Sequence, residues 1–359
     1  MKIAVITDTH FGNRNDSSHI LDNQEKFYSE LFFPTLKEYE IDTVLHLGDL
    51  FDRRKFINYT TLARTEEMFL KPLEKRGIQM HLIVGNHDVY YKTTNSINSP
   101  QSLLKHYSNI HIYTDPTELT LDGTKILLLP WITKDNAEQS SDMIRKSKAY
   151  IIGGHLEIQG FEMYRGTPAK SGLDRSIFDR FNLVMSGHFH HKSTGSNIEY
   201  LGAPSEYIWS DYDDPRGFHI LDTSTEELEF IQNDRSIFKK VIYDDVNHDY
   251  TDLLSDEDAF SVYKGCYIKV VIVNKENPAL LETIVKNIEK ADAADVTIVE
   301  SHFNLDISEE DDIVELTEDT ATTLKKITDT IQNEKYRGPV NKLLHELYRE
   351  AHNLNSEIY

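Results

Sequence analysis

One cysteine, Cys266, is present in 359 residues, so an intrachain disulfide is impossible and a reducing compartment is expected. No apolar run approaches the roughly 18 residues needed to cross a bilayer. The opening MKIAVITDTH turns polar too soon for the apolar core of a signal peptide, so none is expected. Basic residues are scarce: 38 Lys and Arg stand against 60 Asp and Glu, a formal net charge of -22. That excludes a globally basic, charge-driven nucleic-acid binder, and leaves any polyanionic substrate to a local site or a partner. Internal repeats and long low-complexity tracts are lacking too. The deficit of positive charge is steepest at the end, where residues 236–359 hold 13 basic and 26 acidic side chains.

What the chain does have is a series of short apolar, β-branched runs through residues 1–235. They lie at 2–6, 43–47, 81–84, 110–113, 125–131, 150–154, 183–187, 198–202 and 217–221. Each is of strand length and bounded by polar, Gly or Pro punctuation. Helix-period segments lie between some of them. One runs from about Asp22 to Tyr39, with Phe27, Leu31 and Phe32 on one face and a kink or restart expected at Pro34. Another runs from about Thr60 to Lys75, with Leu62, Phe69, Leu70 and Leu73 on one face. The alternation predicts an α/β sandwich flanked by helices, with a mixed sheet toward the end. A small α+β module is expected over 241–305, built on strands at 265–273 and 296–300 and a helix starting at Asn277-Pro278. An acidic linker over 306–319 and a helical hairpin over 320–359, broken at Arg337-Gly338-Pro339, complete the chain.

Five segments place metal-ligand side chains at the end of an apolar run: Asp8-Thr9-His10, Gly48-Asp49-Leu50-Phe51-Asp52, Gly85-Asn86-His87-Asp88, Gly153-Gly154-His155 and Gly187-His188-Phe189-His190. Loops beyond the carboxyl ends of strands converge in open α/β sheets, so residues distant in sequence can meet there. Asp8, His10, Asp49, Asn86, His155, His188 and His190 offer three oxygen and four imidazole donors. That is too many for one cation and right for two if a carboxylate bridges. Side chains alternate along a strand, which puts His188 and His190 on one side and turns His191 away. Mixed nitrogen and oxygen donors without thiolate suit Mn²⁺, Fe²⁺ or Zn²⁺ better than Ca²⁺ or Mg²⁺. Any one segment alone reads more simply as a helix cap or a core residue, as His46 does; five in order do not.

The series DTH, GDLFD, GNHD, GGH and GHFH resembles the calcineurin-like metallophosphoesterase superfamily over about residues 1–220. Within it the chain is similar to the SbcD-type double-strand-break repair nucleases, most of all in the short form carried by T-even-type phages. Tyr200-Leu201-Gly202-Ala203-Pro204-Ser205-Glu206 and the run from Asp214 to Phe218 resemble that branch as well. The resemblance implies a Mn²⁺-dependent nuclease subunit, exonuclease on duplex and endonuclease on single-stranded DNA. It implies Asp8, His10 and His190 on one metal, Asn86, His155 and His188 on the other, and Asp49 between them. It makes His87 the catalytic histidine beside the scissile phosphate and Asp88 the orienter of its loop. Asp52 stands where many cellular members carry a second histidine. Arg53-Arg54-Lys55 reads either as a solvated loop or as a phosphate-steering one.

The branch further implies an SbcC-like ATPase partner that grips DNA, docked by the terminal helices over about 320–354. It implies a homodimer within a heterotetramer, formed through segments near Asn58–Lys75 and Pro100–Tyr107, no membrane, and the bacterial cytoplasm, that of a phage-infected host included. A protein phosphatase or small-molecule phosphodiesterase is the competing enzyme reading. GDLFDRR favours it, and GNHD in place of GNHE disfavours it. A non-catalytic scaffold on the same fold would be expected to have lost ligands, and here all are present.

Overall fold

The computed structural model describes residues 1–256, 258–300, 337, 340 and 342–344. Residues 1–301 form one compact unit. Its centre is a pair of six-stranded sheets. The first runs, in spatial order, Glu227–Gln232, Gly217–Asp222, Lys2–Ile6, Thr43–His46, Gln79–Ile83 and Ile110–Tyr113. Its last four strands are parallel and its first two pairings antiparallel. The second runs Ser193–Gly195, Ile198–Tyr200, Leu183–Gly187, Ile151–His155, Thr124–Leu129 and Thr117–Leu121, with parallel pairing in the middle and antiparallel edges.

The apolar runs are continuous because both faces of the central strands are buried. Along Lys2–Ile6, Ile3 and Val5 point into the layer between the sheets, where they meet Leu45, Ile126, Leu128 and Met185. Ala4 and Ile6 point the other way, into the helices that cover the first sheet. A second helical layer, with Ile144 of the helix Ala137–Lys146, covers the other sheet. The expected helix-flanked α/β sandwich is therefore the observed fold.

The helix predicted from Asp22 begins earlier, at Ser18, and passes through a widened π-type turn at Tyr28–Phe32 before resuming as Phe33–Glu38. Pro34 explains the interruption. Its ring would crowd the carbonyl one turn back and it has no N–H to donate. The Thr35 hydroxyl donates to the Leu31 carbonyl at 2.8 Å, taking up an acceptor in the disturbed ladder. The next helix repeats the device, with a widened turn at Glu66–Leu70 just before Pro72.

A three-stranded parallel sheet, Phe238–Asp244, Tyr267–Asn274 and Asp295–Glu300, packs Ile268, Val270 and Ile272 against Leu281, Ile284 and Ile288 of the helix Pro278–Lys290. Asn277 caps that helix through the Leu280 amide. The strand Phe238–Asp244 offers only the short apolar stretch Val241-Ile242-Tyr243 after Lys239 and Lys240, too short to announce it. The linker over 306–319 and the break at Gly338-Pro339 lie outside the described residues, as does most of 320–359. Arg337, Val340 and Lys342–Leu344 are helical. Among the described residues no helix is long and apolar enough to cross a membrane.

Candidate metal centre

Five strand ends deliver the predicted donors to one place. Lys2–Ile6, Thr43–His46 and Gln79–Ile83 of the first sheet lead into Asp8 and His10, into Asp49, and into Asn86 and His87. Ile151–His155 and Leu183–Gly187 of the second sheet lead into His155 itself and into His188 and His190. The donors fall into two groups. Donor atoms of Asp8, His10 and His190 lie within 4.8 Å of one another, and so do those of Asp49, His155 and His188. Asn86 belongs with the second group: its Oδ1 is 2.8 Å from His155 Nε2 and 2.8 Å from His188 Nδ1. Asp49 lies between the groups, with Oδ2 3.6 Å from His10 Nε2 and 3.3 Å from His155 Nε2.

The backbone is bent to achieve this. Asp8, His10, Asp49 and His188 all have left-handed φ, at 51°, 42°, 54° and 88°. Residues with a Cβ seldom adopt it, and the strain persists only where the surroundings over-determine it. Here they do. The Asp88 carboxylate accepts from the amides of Asp49 (2.9 Å), Leu50 (3.1 Å), Phe51 (3.3 Å) and Gly85 (2.9 Å). The His188 amide donates to the Asp8 carboxylate at 3.1 Å, and the His87 amide to Asp49 Oδ1 at 2.7 Å. Close approach demands glycine at two places: a Cβ on Gly85 would fall 2.2 Å from Asp49 Oδ1, and one on Gly48 (φ 93°) 2.6 Å from His155 Nδ1.

Ring orientation is set from behind. His155 Nδ1 donates to the Leu47 carbonyl at 2.8 Å, which leaves Nε2 facing Asp49 and Asn86. Asp52 Oδ1 lies 3.2 Å from His10 Nδ1, close but not hydrogen-bonded, while His10 Nε2 faces His190 Nε2 3.1 Å away. His190 Nδ1 is buried without a hydrogen-bond partner. Facing imidazole nitrogens and a nitrogen–oxygen donor set without sulfur fit divalent cations of the Mn²⁺, Fe²⁺ or Zn²⁺ kind.

Burial opposes charge throughout the centre. For His10, burial is overcome by Asp52, Asp49 and Asp8, which push its pKa up to about 9. His155 also rises to about 9, because Asp49 and Asp8 outweigh burial. His188 falls to about 3 through burial and the neighbouring His155 charge. Burial also raises Asp8 to about 6, and burial together with Asp49 raises Asp88 to about 7.

His87 is in neither of the two groups but makes a third close set with His10 and Asp52, their donor atoms within 4.8 Å of one another. It is half-buried, its ring meets that of His10 edge-on with centroids 4.8 Å apart, and its Nδ1 lies 2.6 Å from the Asp52 carbonyl. Burial lowers its pKa. The expected outsiders are outside: His46 is buried with Nε2 3.1 Å from the Thr9 hydroxyl, and His191 pairs with Asp214 at 3.0 Å. Arg53 is engaged by Asp16 (2.9 Å) and Asn15 (2.8 Å), while Lys55 is exposed.

Several supporting residues were not legible in the motifs. The Thr9 carbonyl, between two donors, accepts from Gln24 (2.6 Å) and from the Tyr207 hydroxyl (2.8 Å). Arg216 donates to the His190 carbonyl and to Asp211 and Asp214. Asn13 donates to Asp52 Oδ1 at 2.9 Å. Trp131 lies against His188 with ring centroids 5.0 Å apart.

The family model for calcineurin-like phosphoesterases matches residues 1–192, more than half of the chain. Exonuclease subunit 1 of Enterobacteria phage T4 is 35% identical over 243 residues, covering 68% of this chain and 71% of that protein. The SbcD component of the nuclease SbcCD from Staphylococcus epidermidis is 27% identical over 259 residues, 64% of this chain and 67% of its own. The corresponding protein from Staphylococcus saprophyticus is 25% identical over 258 residues, with 64% and 67% covered.

Proposed function

The chain belongs to the calcineurin-like phosphoesterase family, in its SbcD-type nuclease branch, and we propose that it is a Mn²⁺-dependent DNA nuclease subunit working with an SbcC-like ATPase. The single observation that carries the proposal is the position of Asp49, one carboxylate oxygen within 3.6 Å of a donor nitrogen from each group. Asp8, His10 and His190 would hold one cation, Asn86, His155 and His188 the other, with Asp49 placed to serve both. When bound, the cations supply Lewis-acid charge to the phosphoryl oxygens and the attacking water.

The remaining chemistry falls to His87. With Nδ1 held by the Asp52 carbonyl, its Nε2 is the nitrogen left to face the leaving 3′-oxygen. A proton carried on Nε2 would pass to that oxygen as the P–O bond breaks. Asp88 acts on the loops and not on substrate, through its four backbone amides.

DNA binding is the weak point of a chain with net charge -22. A partner that supplies the grip answers it. In this reading residues 1–235 are the nuclease domain, 241–305 a capping domain, 306–319 a tether and 320–359 the segment that docks the ATPase. The complex is a heterotetramer on a nuclease homodimer, in the cytoplasm of a bacterial host. End-labelled duplex and single-stranded DNA, digested with Mn²⁺ with and without the ATPase, test it. Exonuclease action on the duplex and endonuclease action on the single strand, both enhanced by the partner, are expected. Hydrolysis of a phosphopeptide but not of DNA would contradict it.

A further inference from the structure

Arg14, Asn15 and Asp16 form a run of three left-handed residues that carry side chains, with φ of 47°, 56° and 62°. A Cβ meets the following carbonyl in that conformation, so such a run persists only where neighbours hold it from several sides. The neighbours lie in two directions. Toward the metal centre, Asn13 donates to Asp52 Oδ1 at 2.9 Å, Asp16 pairs with Arg53 at 2.9 Å, and Thr61 donates to Asp16 at 2.7 Å. Toward the three-stranded module, the Arg14 guanidinium lies 4.6 Å from the Tyr267 ring centroid and 5.5 Å from that of Phe238. Those two rings are register partners on adjoining strands and stack 5.0 Å apart. The Ser17 hydroxyl completes the link, 2.7 Å from that of Tyr267.

Asp52 is where this link meets the chemistry. Its side chain touches His10 Nδ1 at 3.2 Å and its carbonyl holds His87 Nδ1 at 2.6 Å. We propose that Asn13 and the left-handed turn are positioning elements for phosphodiester cleavage, through which Tyr267 and Phe238 of the module fix Asp52 and so aim His87. The proposal rests on the reading of His87 given above. Its content is that an aromatic pair outside the metal centre controls turnover without touching metal or substrate.

Arg14→Gly is the decisive variant. Glycine takes left-handed φ freely, so the turn survives while its grip on the two rings is lost. The full chain is assayed at saturating Mn²⁺ on a short end-labelled single-stranded oligodeoxynucleotide, whose alkoxide leaving group needs a proton. A fall in kcat of about 10-fold is expected, as misplaced catalytic groups produce, with KM, Mn²⁺ affinity and melting temperature unchanged. Arg14→Lys, which keeps a cation over the rings, should recover most of it. Tyr267→Leu should cost about as much, and the double variant no more than either single one. Full turnover in both single variants overturns the proposal, as does a loss that follows Mn²⁺ affinity or melting temperature, or one that adds in the double variant. A wild-type chain without metal-dependent cleavage would instead contradict the site reading beneath it.

Discussion

The backbone carbonyl of Asp52 lies 2.6 Å from Nδ1 of His87. The contact fixes which nitrogen of the ring is spoken for, and it ties a histidine of one strand-end loop to the main chain of another. His87 is adjacent to Asn86 in sequence, yet it belongs to neither donor group with Asp49 between them. His87→Ala should therefore leave two Mn²⁺ bound and the melting temperature unchanged, while cleavage falls by about 10²–10⁴-fold, the usual worth of general-acid help. Metal content and turnover measured on the same preparation check it.

Asp49 Oδ2 lies within 3.6 Å of a nitrogen from each group, so under the proposed function its charge serves both. Asp49→Asn keeps the size of the side chain and removes the charge that both groups of imidazoles face. Mn²⁺ stoichiometry should drop from two toward zero in calorimetric titration, with cleavage lost in parallel. Loss of one ion only would show that the two groups do not depend on a common carboxylate.

Metal binding should release protons. With His10 and His155 raised to about 9, both rings are protonated at pH 7 until a cation displaces the proton. Apparent Mn²⁺ affinity should rise as pH goes from 6 toward 9, by up to about tenfold per unit for each proton released. Calorimetry in buffers of different ionisation heat counts those protons directly. About two per chain are expected.

Removal of residues from Glu318 onward should abolish association with the ATPase and leave Mn²⁺-dependent cleavage of a small phosphodiester intact. Co-purification with the partner and turnover on bis-p-nitrophenyl phosphate are the two readouts.

That the proposed donors would meet was legible in the sequence because each motif is local. An apolar run ends, a few polar residues follow, and the ligand chemistry sits within them. Strand alternation sets His191 aside in the sequence, but the strand ends at Gly187 and His188 has left-handed φ, so it is the loop that carries His191 to Asp214. The supports were not legible, because they arrive through packing. Tyr207 reaches the Thr9 carbonyl across 198 positions, and His188 meets Asp8 across 180. Edge strands were missed for a different reason. Thr117–Leu121 and Glu227–Gln232 interleave polar residues with apolar ones, as strands half-open to solvent do, and so show no apolar run. Pro34 announced a break in its helix, but only the folded chain shows that it is made as a widened turn. The left-handed φ of Asp8, His10, Asp49 and His188 had no sequence signal, since none of the four is glycine.

The most direct measurement is anomalous scattering from crystals soaked in Mn²⁺. The account predicts two peaks about 3.5–4 Å apart, one on each side of the Asp49 carboxylate. A single peak, or peaks elsewhere with His10, His155 and His190 turned away, would contradict it.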